Sequence, residues 1–334
     1  MTSVGKTHTT LGNLNNNIGM PLTLARMPKD TDFAVIEMGI SHAGEMTELT
    51  RLAEPDIAMI TMIGTAHCEF FKTRADTAVA KAEIFKGIKA DGIVFLNADD
   101  DQYPVLKKEA QKCALKDIRS FGTTAGNDVV LLHIGGTQIS VKIGDQSYTY
   151  SLQLAGRHQV QNSLGVVGIL NALNVDMPTA LQALGQLQPV KGRGQRFEIP
   201  LTDGSFILID DSYNANPESM QAGIRVLGST APANGGRRIA IIGDMLELGD
   251  QARELHTNLA ADLIENKIDK VYTVGENSGA LFDILPSEMQ GIKKPVSDEL
   301  APLIRQEIKS GDIVLVKGSF GSKMAKIVEA LKAS

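Results

Sequence analysis

The first residues that suggest chemistry are Ser3-Val4-Gly5-Lys6-Thr7. A Gly-Lys-Thr triplet is the tail of a phosphate loop: Gly5 lets backbone N–H groups approach phosphate oxygens, Lys6 reaches the terminal phosphates and Thr7 offers a hydroxyl to Mg2+. The full signature needs an earlier glycine and a strand ahead of the loop, and the chain supplies neither. Only His8 to Leu11 separate Thr7 from the turn-forming GNLNNNIG, so the usual helix has no room. Glu37 ends one apolar run, and His67, in GTAHCEFF, follows another. Carboxylates at the C-terminal ends of parallel strands can bind metal-nucleotide. Each residue also has a plainer reading, Glu37 as a solvated acid and His67 as a packed or capping imidazole. Lys81 interrupts the apolar stripe AVAKAEIF. A lysine is costly to bury there unless neutralised or modified, although a stem that snorkels to solvent explains it without chemistry. In IDDSYNANPES, Asp210, Asp211, Tyr213, Asn214 and Asn216 crowd a strand-to-helix junction with more hydrogen-bonding side chains than a cap requires.

The elements that must position these residues are legible as hydrophobic runs. DFAVIEMG (32–39), DIAMITMIG (56–64) and GIVFLNAD (92–99) read as buried strands, with helical patterns over 43–53 and 73–88 between them. That succession implies a parallel sheet covered by helices. From about Asp128 to Leu154 the texture changes to alternating or β-branched runs split by GG and GD turns, an antiparallel hairpin insertion. Helices follow over 158–173 and 177–187, and VKGRGQRF (190–197) reads as a hinge. The last third starts afresh, with strands FILIDD, RRIAIIGDM, KVYTVG and DIVLVKG among helices. The fold class is therefore α/β: a mostly parallel-sheet domain with a small antiparallel insertion over 1–195, then a second, Rossmann-like α/β domain over 196–334.

Length and composition agree. The 334 residues correspond to about two domains. With 43% hydrophobic and 22% charged residues, the chain is neither disordered nor collagenous. Its net charge of −6 gives no reason to expect nucleic acid as a partner. Two cysteines, Cys68 and Cys113, make no disulfide framework or zinc pattern. Without a membrane-length apolar run or signal-peptide pattern, the expected location is the cytoplasm.

Taken together and in order, GNLNNNIGMPLTL, VIEMGISHAGEMTELTRLAEPD, IGTAHCEFF, AKAEIFKGI, LNADD, IDDSYNANPESM, IGDMLELG and LVKGS resemble the Mur ligases. They do so most closely in the branch that adds D-alanyl-D-alanine, and the resemblance runs over essentially the whole chain. It implies that 1–195 is a central ATPase domain of P-loop type, N-terminally incomplete, and that the chain is an ATP-dependent amide ligase of peptidoglycan precursor synthesis. ATP phosphorylates the terminal carboxylate of UDP-MurNAc-tripeptide, and the amine of D-alanyl-D-alanine attacks the acyl phosphate. By the same resemblance, Gly5, Lys6 and Thr7 would serve the β/γ-phosphates and one Mg2+, with Glu37 as a further ligand and Lys6 in the catalytic set. His67 would help hold a second Mg2+, and Lys81 would carry a CO2-derived carbamate that orients metal. Asn162, in GRHQVQNS, would bind adenine; Arg193 and Asp211 would close on ATP. Asn214, Asn216, Lys317 and Ser319 would lie nearby. The chain departs from the pattern in lacking the family's N-terminal UDP-sugar domain and the front of the phosphate loop. It also has GRHQ in place of GxHN, and Phe320 after KGS where a basic residue is common. A noncatalytic remnant that keeps both domains, and a folylpolyglutamate-synthase-like ligase, are the alternative readings; the oligomeric state is left open.

Overall fold

A computed structural model of the chain describes residues 1–64, 71, 73–233 and 235–333. They form two compact units, one of Met1–Ile63, Phe70–Gln153 and His158–Leu187, the other running from Gln188 onward together with Leu154–Arg157.

The first unit opens with β1 (Thr7–Thr9), α1 (Gly19–Ala25) and β2 (Phe33–Val35). β1 and β2 form a parallel two-stranded sheet of their own. The run 32–39 is thus a strand for only three residues. Beyond it the backbone leaves the ladder: the Glu37 N–H donates to Thr10 Oγ1 and the Gly39 N–H to the Asn15 carbonyl. Next come α2 (Glu45–Ala53), β3 (Ile57–Ile60), α3 (Arg74–Ala82), β4 (Ile93–Asn97), α4 (Tyr103–Lys112), β5 (Asp117–Gly122), β6 (Val129–Gly135), β7 (Gln138–Ile143), β8 (Gln146–Ser151), α5 (Arg157–Ala172) and α6 (Met177–Leu184). Strands β3 to β8 lie side by side in chain order. β3, β4, β5 and β6 are parallel, whereas β7 and β8 are antiparallel additions. The expected hairpin insertion is therefore an extension of the main sheet, because β6 joins β5 through Phe121↔Val129 and Gly122↔Val130.

Strand alternation decides what each face of this sheet meets. Val94 and Leu96 pack with Ala78, Ala82, Leu106 and Ala110 of α3 and α4. Phe95 points to the other side, towards α5, which lies close because Gly165 and Gly168 face the sheet. A Cβ on Gly168 would stand 2.7 Å from the Phe95 ring.

The second unit contains β9 (Gln195–Leu201), β10 (Gly204–Asp211), α7 (Pro217–Ser229), β11 (Arg238–Gly243), α8 (Ala252–Thr257), α9 (Leu259–Glu265), β12 (Lys270–Val274), α10 (Glu276–Ile284), β13 (Gln290–Lys294), α11 (Ser297–Glu307), β14 (Ile313–Lys317) and α12 (Ala325–Lys332). Its sheet runs β13-β12-β11-β14-β10-β9, parallel throughout except for β9. One face of β10, β11 and β14 packs on α7, α9 and α10 through Met220, Ile224, Leu263 and Leu281. The other packs on α11 and α12 through Leu300, Ile304, Ile327 and Leu331. This is the doubly wound, Rossmann-like arrangement expected from the runs. Among the described residues no helix is long and apolar enough to cross a membrane.

Candidate functional site

The Gly5-Lys6-Thr7 triplet does not form a phosphate loop. A phosphate loop follows a strand and opens a helix, whereas Thr7 here begins strand β1, in register with Phe33. The donors that would cradle phosphate are already used: the Gly5 N–H donates to the Met1 carbonyl and the Lys6 N–H to the Asp32 carboxylate. A carboxylate 2.8 Å from that amide opposes an incoming phosphate. The Lys6 ammonium is 68% exposed and paired with Asp30 at 2.6 Å, and the Thr7 hydroxyl donates to the Gly5 carbonyl. As placed here, Gly5, Lys6 and Thr7 do not form a phosphate cradle.

Glu37 and Lys81 lie near enough in the first unit for the charge of the carboxylate to act on the amine. Asn15 Nδ2 donates to Glu37 Oε1 at 2.8 Å, and Thr10 Oγ1 accepts the Glu37 N–H at 2.9 Å. Lys81 sits near the end of α3, a helix started by a reciprocal capping box between Thr73 and Asp76. Burial pushes its amine below the usual lysine value, and the charge of Glu37 pulls it part of the way back. Neither the Lys81 amine nor Glu37 Oε2 makes a hydrogen bond among the described residues. Two residues beyond Lys81, the Glu83 carboxylate accepts from the N–H groups of Gly44 and Thr47 and from the Thr47 hydroxyl, fastening this segment to the start of α2. Among the described residues no three acidic, histidine or cysteine side chains cluster as a metal site. His67 lies outside the described residues.

α5 carries Asn162, half-buried, whose side chain makes no hydrogen bond among the described residues. Its neighbour Gln161 reaches Asp99, just beyond β4, at 3.1 Å. Asp99 also accepts the N–H and hydroxyl of Thr123, just beyond β5. Gln161 thus ties this part of α5 to the C-terminal edge of the first sheet.

In the second unit Asp211 and Lys317 end neighbouring parallel strands in direct register. Their side chains pair at 2.7 Å, and the Lys317 ammonium also donates to the Asn214 carbonyl at 3.0 Å. Gly192 and Gly194 both have positive φ, +73° and +81°. The segment expected as a hinge is bound to β10 and its exit, since the Gly194 N–H donates to the Asp210 carbonyl and the Tyr213 N–H to the Gly192 carbonyl. Between those glycines, Arg193 is exposed and lies over the Tyr213 ring at 4.8 Å. Tyr213 in turn meets Phe320 at 5.9 Å. Asn216 is explained by local structure alone, as the cap of α7 in a reciprocal box with Ser219. Ser319 also has a structural occupation, accepting the Leu246 N–H and donating to the Ala215 carbonyl.

Two α/β units, each with polar side chains gathered where its parallel strands end, define a two-unit α/β protein of a kind that commonly binds ligands at strand C-termini. The Mur ligase middle domain matches residues 1–170, and the Mur ligase glutamate ligase domain matches residues 195–320. The chain belongs to the Mur ligase family. It is 34% identical to the UDP-N-acetylmuramoyl-tripeptide--D-alanyl-D-alanine ligase of Bacillus subtilis (strain 168), over 98% of this chain and 70% of that one. Among solved structures, MurF from Acinetobacter baumannii is 30% identical with a TM-score of 0.87, over 99% of this chain and 71% of that one. MurF ligase from Thermotoga maritima in complex with ADP is 28% identical with a TM-score of 0.82, over 98% and 73%.

Proposed function

We propose that the chain is an ATP-dependent amide ligase that joins D-alanyl-D-alanine to UDP-MurNAc-tripeptide in the cytoplasm. The observation that carries this reading is the match over 98% of the chain to a ligase bearing that name; the ADP complex of a 28% identical MurF supports ATP as co-substrate. A carboxylate is a poor electrophile. Transfer of the γ-phosphoryl group of ATP gives it a phosphate leaving group, and attack by the dipeptide amine then forms the amide and releases phosphate.

Glu37 and Lys81 fit a Mg2+ centre. Glu37 offers a carboxylate oxygen with no other described partner, and the buried amine at Lys81 suits conversion by CO2 into a carbamate, which removes the cost of an interior cation. Mg2+ keeps several waters and needs few protein ligands, so a full cluster of acidic residues is not required. Bound there, the ion offsets charge on the transferring phosphoryl group. In this reading Asn162 receives the adenine, Arg193 and Asp211 address ATP, and His67 holds a second Mg2+.

A second reading, a noncatalytic scaffold, is favoured by one observation: among the described residues no strand–loop–helix phosphate cradle is present, and Gly5-Lys6-Thr7 is not one. The deciding assay is phosphate release from ATP that depends on both UDP-MurNAc-tripeptide and D-alanyl-D-alanine. The ligase reading expects release that falls at least 100-fold in Lys81→Ala and recovers in part when a short carboxylic acid is added in place of the lost carbamate. Release no greater than in Lys81→Ala would leave the scaffold reading.

A further inference from the structure

We propose that Asn15 makes Glu37 a one-oxygen ligand and thereby favours Mg2+ over Ca2+ at the Glu37–Lys81 centre. The inference rests on the metal-centre reading above. It starts from the carboxylate itself, which is asymmetric: Oε1 accepts from Asn15 Nδ2 at 2.8 Å, and Oε2 has no partner among the described residues. Chemistry fixes the amide orientation, because an amide oxygen turned towards the carboxylate would be repelled while the nitrogen donates.

Asn15 is itself held in place. Its N–H donates to the Asn13 carbonyl at 2.8 Å, and its own carbonyl accepts the Gly39 N–H at 2.8 Å. A Cβ at position 39 would come within 3.0 Å of Asn15 Nδ2, so glycine there leaves the amide undisturbed. On the other side the Glu37 backbone is tied to the Thr10 hydroxyl. The amide is thus a fixed part of the site, positioned by the same short segments that present Glu37.

Selectivity follows from coordination habits. Ca2+ takes more oxygens at longer distances and often grips both oxygens of one carboxylate, whereas Mg2+ requires compact octahedral geometry, which a single oxygen suits. A donor occupying Oε1 opposes two-oxygen ligation and steadies Oε2 for one-oxygen ligation. Asn15 is in this account a positioning residue that acts through Glu37.

The test uses the full chain with Mn2+ as a paramagnetic probe in bicarbonate buffer, displaced by Mg2+ or by Ca2+ alone and followed by electron paramagnetic resonance. In Asn15→Ala the ratio of the Mg2+ to the Ca2+ concentration needed for displacement rises about 10-fold, at the lower end of what lost ligand-orienting partners cost. Asn15→Asp preserves the shape of the side chain and supplies an added oxygen, so it shifts the ratio further towards Ca2+; it decides the matter if far-UV circular dichroism shows the alanine variant to be misfolded. Equal shifts for both ions, or none, would overturn the role of Asn15 and leave the centre standing. Mn2+ binding by the wild type no stronger than by Glu37→Gln would refute the centre and the inference with it.

Discussion

Removing either member of the Asp211–Lys317 pair should destabilise the second unit, but unequally. The side chain of Lys317 is 4% exposed and that of Asp211 23%. Asp211→Asn leaves an ammonium in the interior with neutral acceptors alone, the amide oxygen at position 211 and the Asn214 carbonyl. Breaking a buried pair in this way costs about 3–5 kcal/mol. Lys317→Met keeps most of the buried stem volume and strands a carboxylate that water partly reaches, so its cost should be lower, about 1.5–3 kcal/mol. The double variant should lie near Lys317→Met, because the second change then removes a charge already unpaired. A whole-chain unfolding free energy is poorly defined for two units, and the chain has no tryptophan to report on either. Hydrogen exchange of the β10 and β14 amides at increasing urea, read by mass spectrometry, isolates the second unit. Asp211→Asn proving milder than Lys317→Met, or both lying within about 0.5 kcal/mol of wild type, would refute the placement of the lysine as the deeper partner.

Lys6→Ala should leave substrate-dependent phosphate release within about twofold of wild type, since an exposed ion pair such as Lys6–Asp30 contributes little; a loss of 100-fold would restore the phosphate-loop reading. His256 is fully buried, accepts the Met245 N–H at Nε2, and is held below the usual histidine value chiefly by burial. The unfolded chain then binds a proton that the folded chain refuses, so stability is complete above about pH 6.5 and falls as pH drops, with a slope of at most about 1.4 kcal/mol per pH unit; a urea titration of His256→Gln should lose that slope. Tyr150 is pushed up to about 12 by burial, offset in part by its bond to Ser163. Stability from this group persists below pH 10 and is lost as pH rises towards 12; Tyr272 is also pushed up, by burial and by its bond to Glu307, so ultraviolet difference spectra should show two tyrosines ionising late, and Tyr150→Phe should remove the earlier of the two late steps. Gly168→Leu should lift α5 from the sheet, costing about 1–3 kcal/mol by overpacking against Phe95 and Val129, as measured by exchange of the β4 amides.

Hydrophobic period made most of the architecture legible. β4, β10, β11, β12 and β14 are runs buried on both faces, and such runs announce themselves. β5 was hidden because Arg119 and Ser120 interrupt it, and each finds a local acid: Arg119 pairs with Asp117, and Ser120 donates to Asp128. β13 reads Gln-Gly-Ile-Lys-Lys and lies at the edge of its sheet, where one side needs no apolar cover. A candidate for chemistry was legible where a residue contradicts its surroundings, as Lys81 does in an apolar stripe, and the structure does bury it. Chemistry is less legible where a short motif sits in an element that does not aim its atoms. Gly5-Lys6-Thr7 satisfies the residue types of a phosphate loop, but those types act only when successive N–H groups converge on one point, and a strand sends them into a ladder instead. Asn15 shows the opposite failure. One asparagine in an asparagine-rich turn carries no chemical signal of its own, and its significance arises only because Glu37, distant in sequence, folds back onto its amide. A motif therefore has chemical meaning when the element it sits in aims its atoms, and at this site the aiming is done by residues that no motif required.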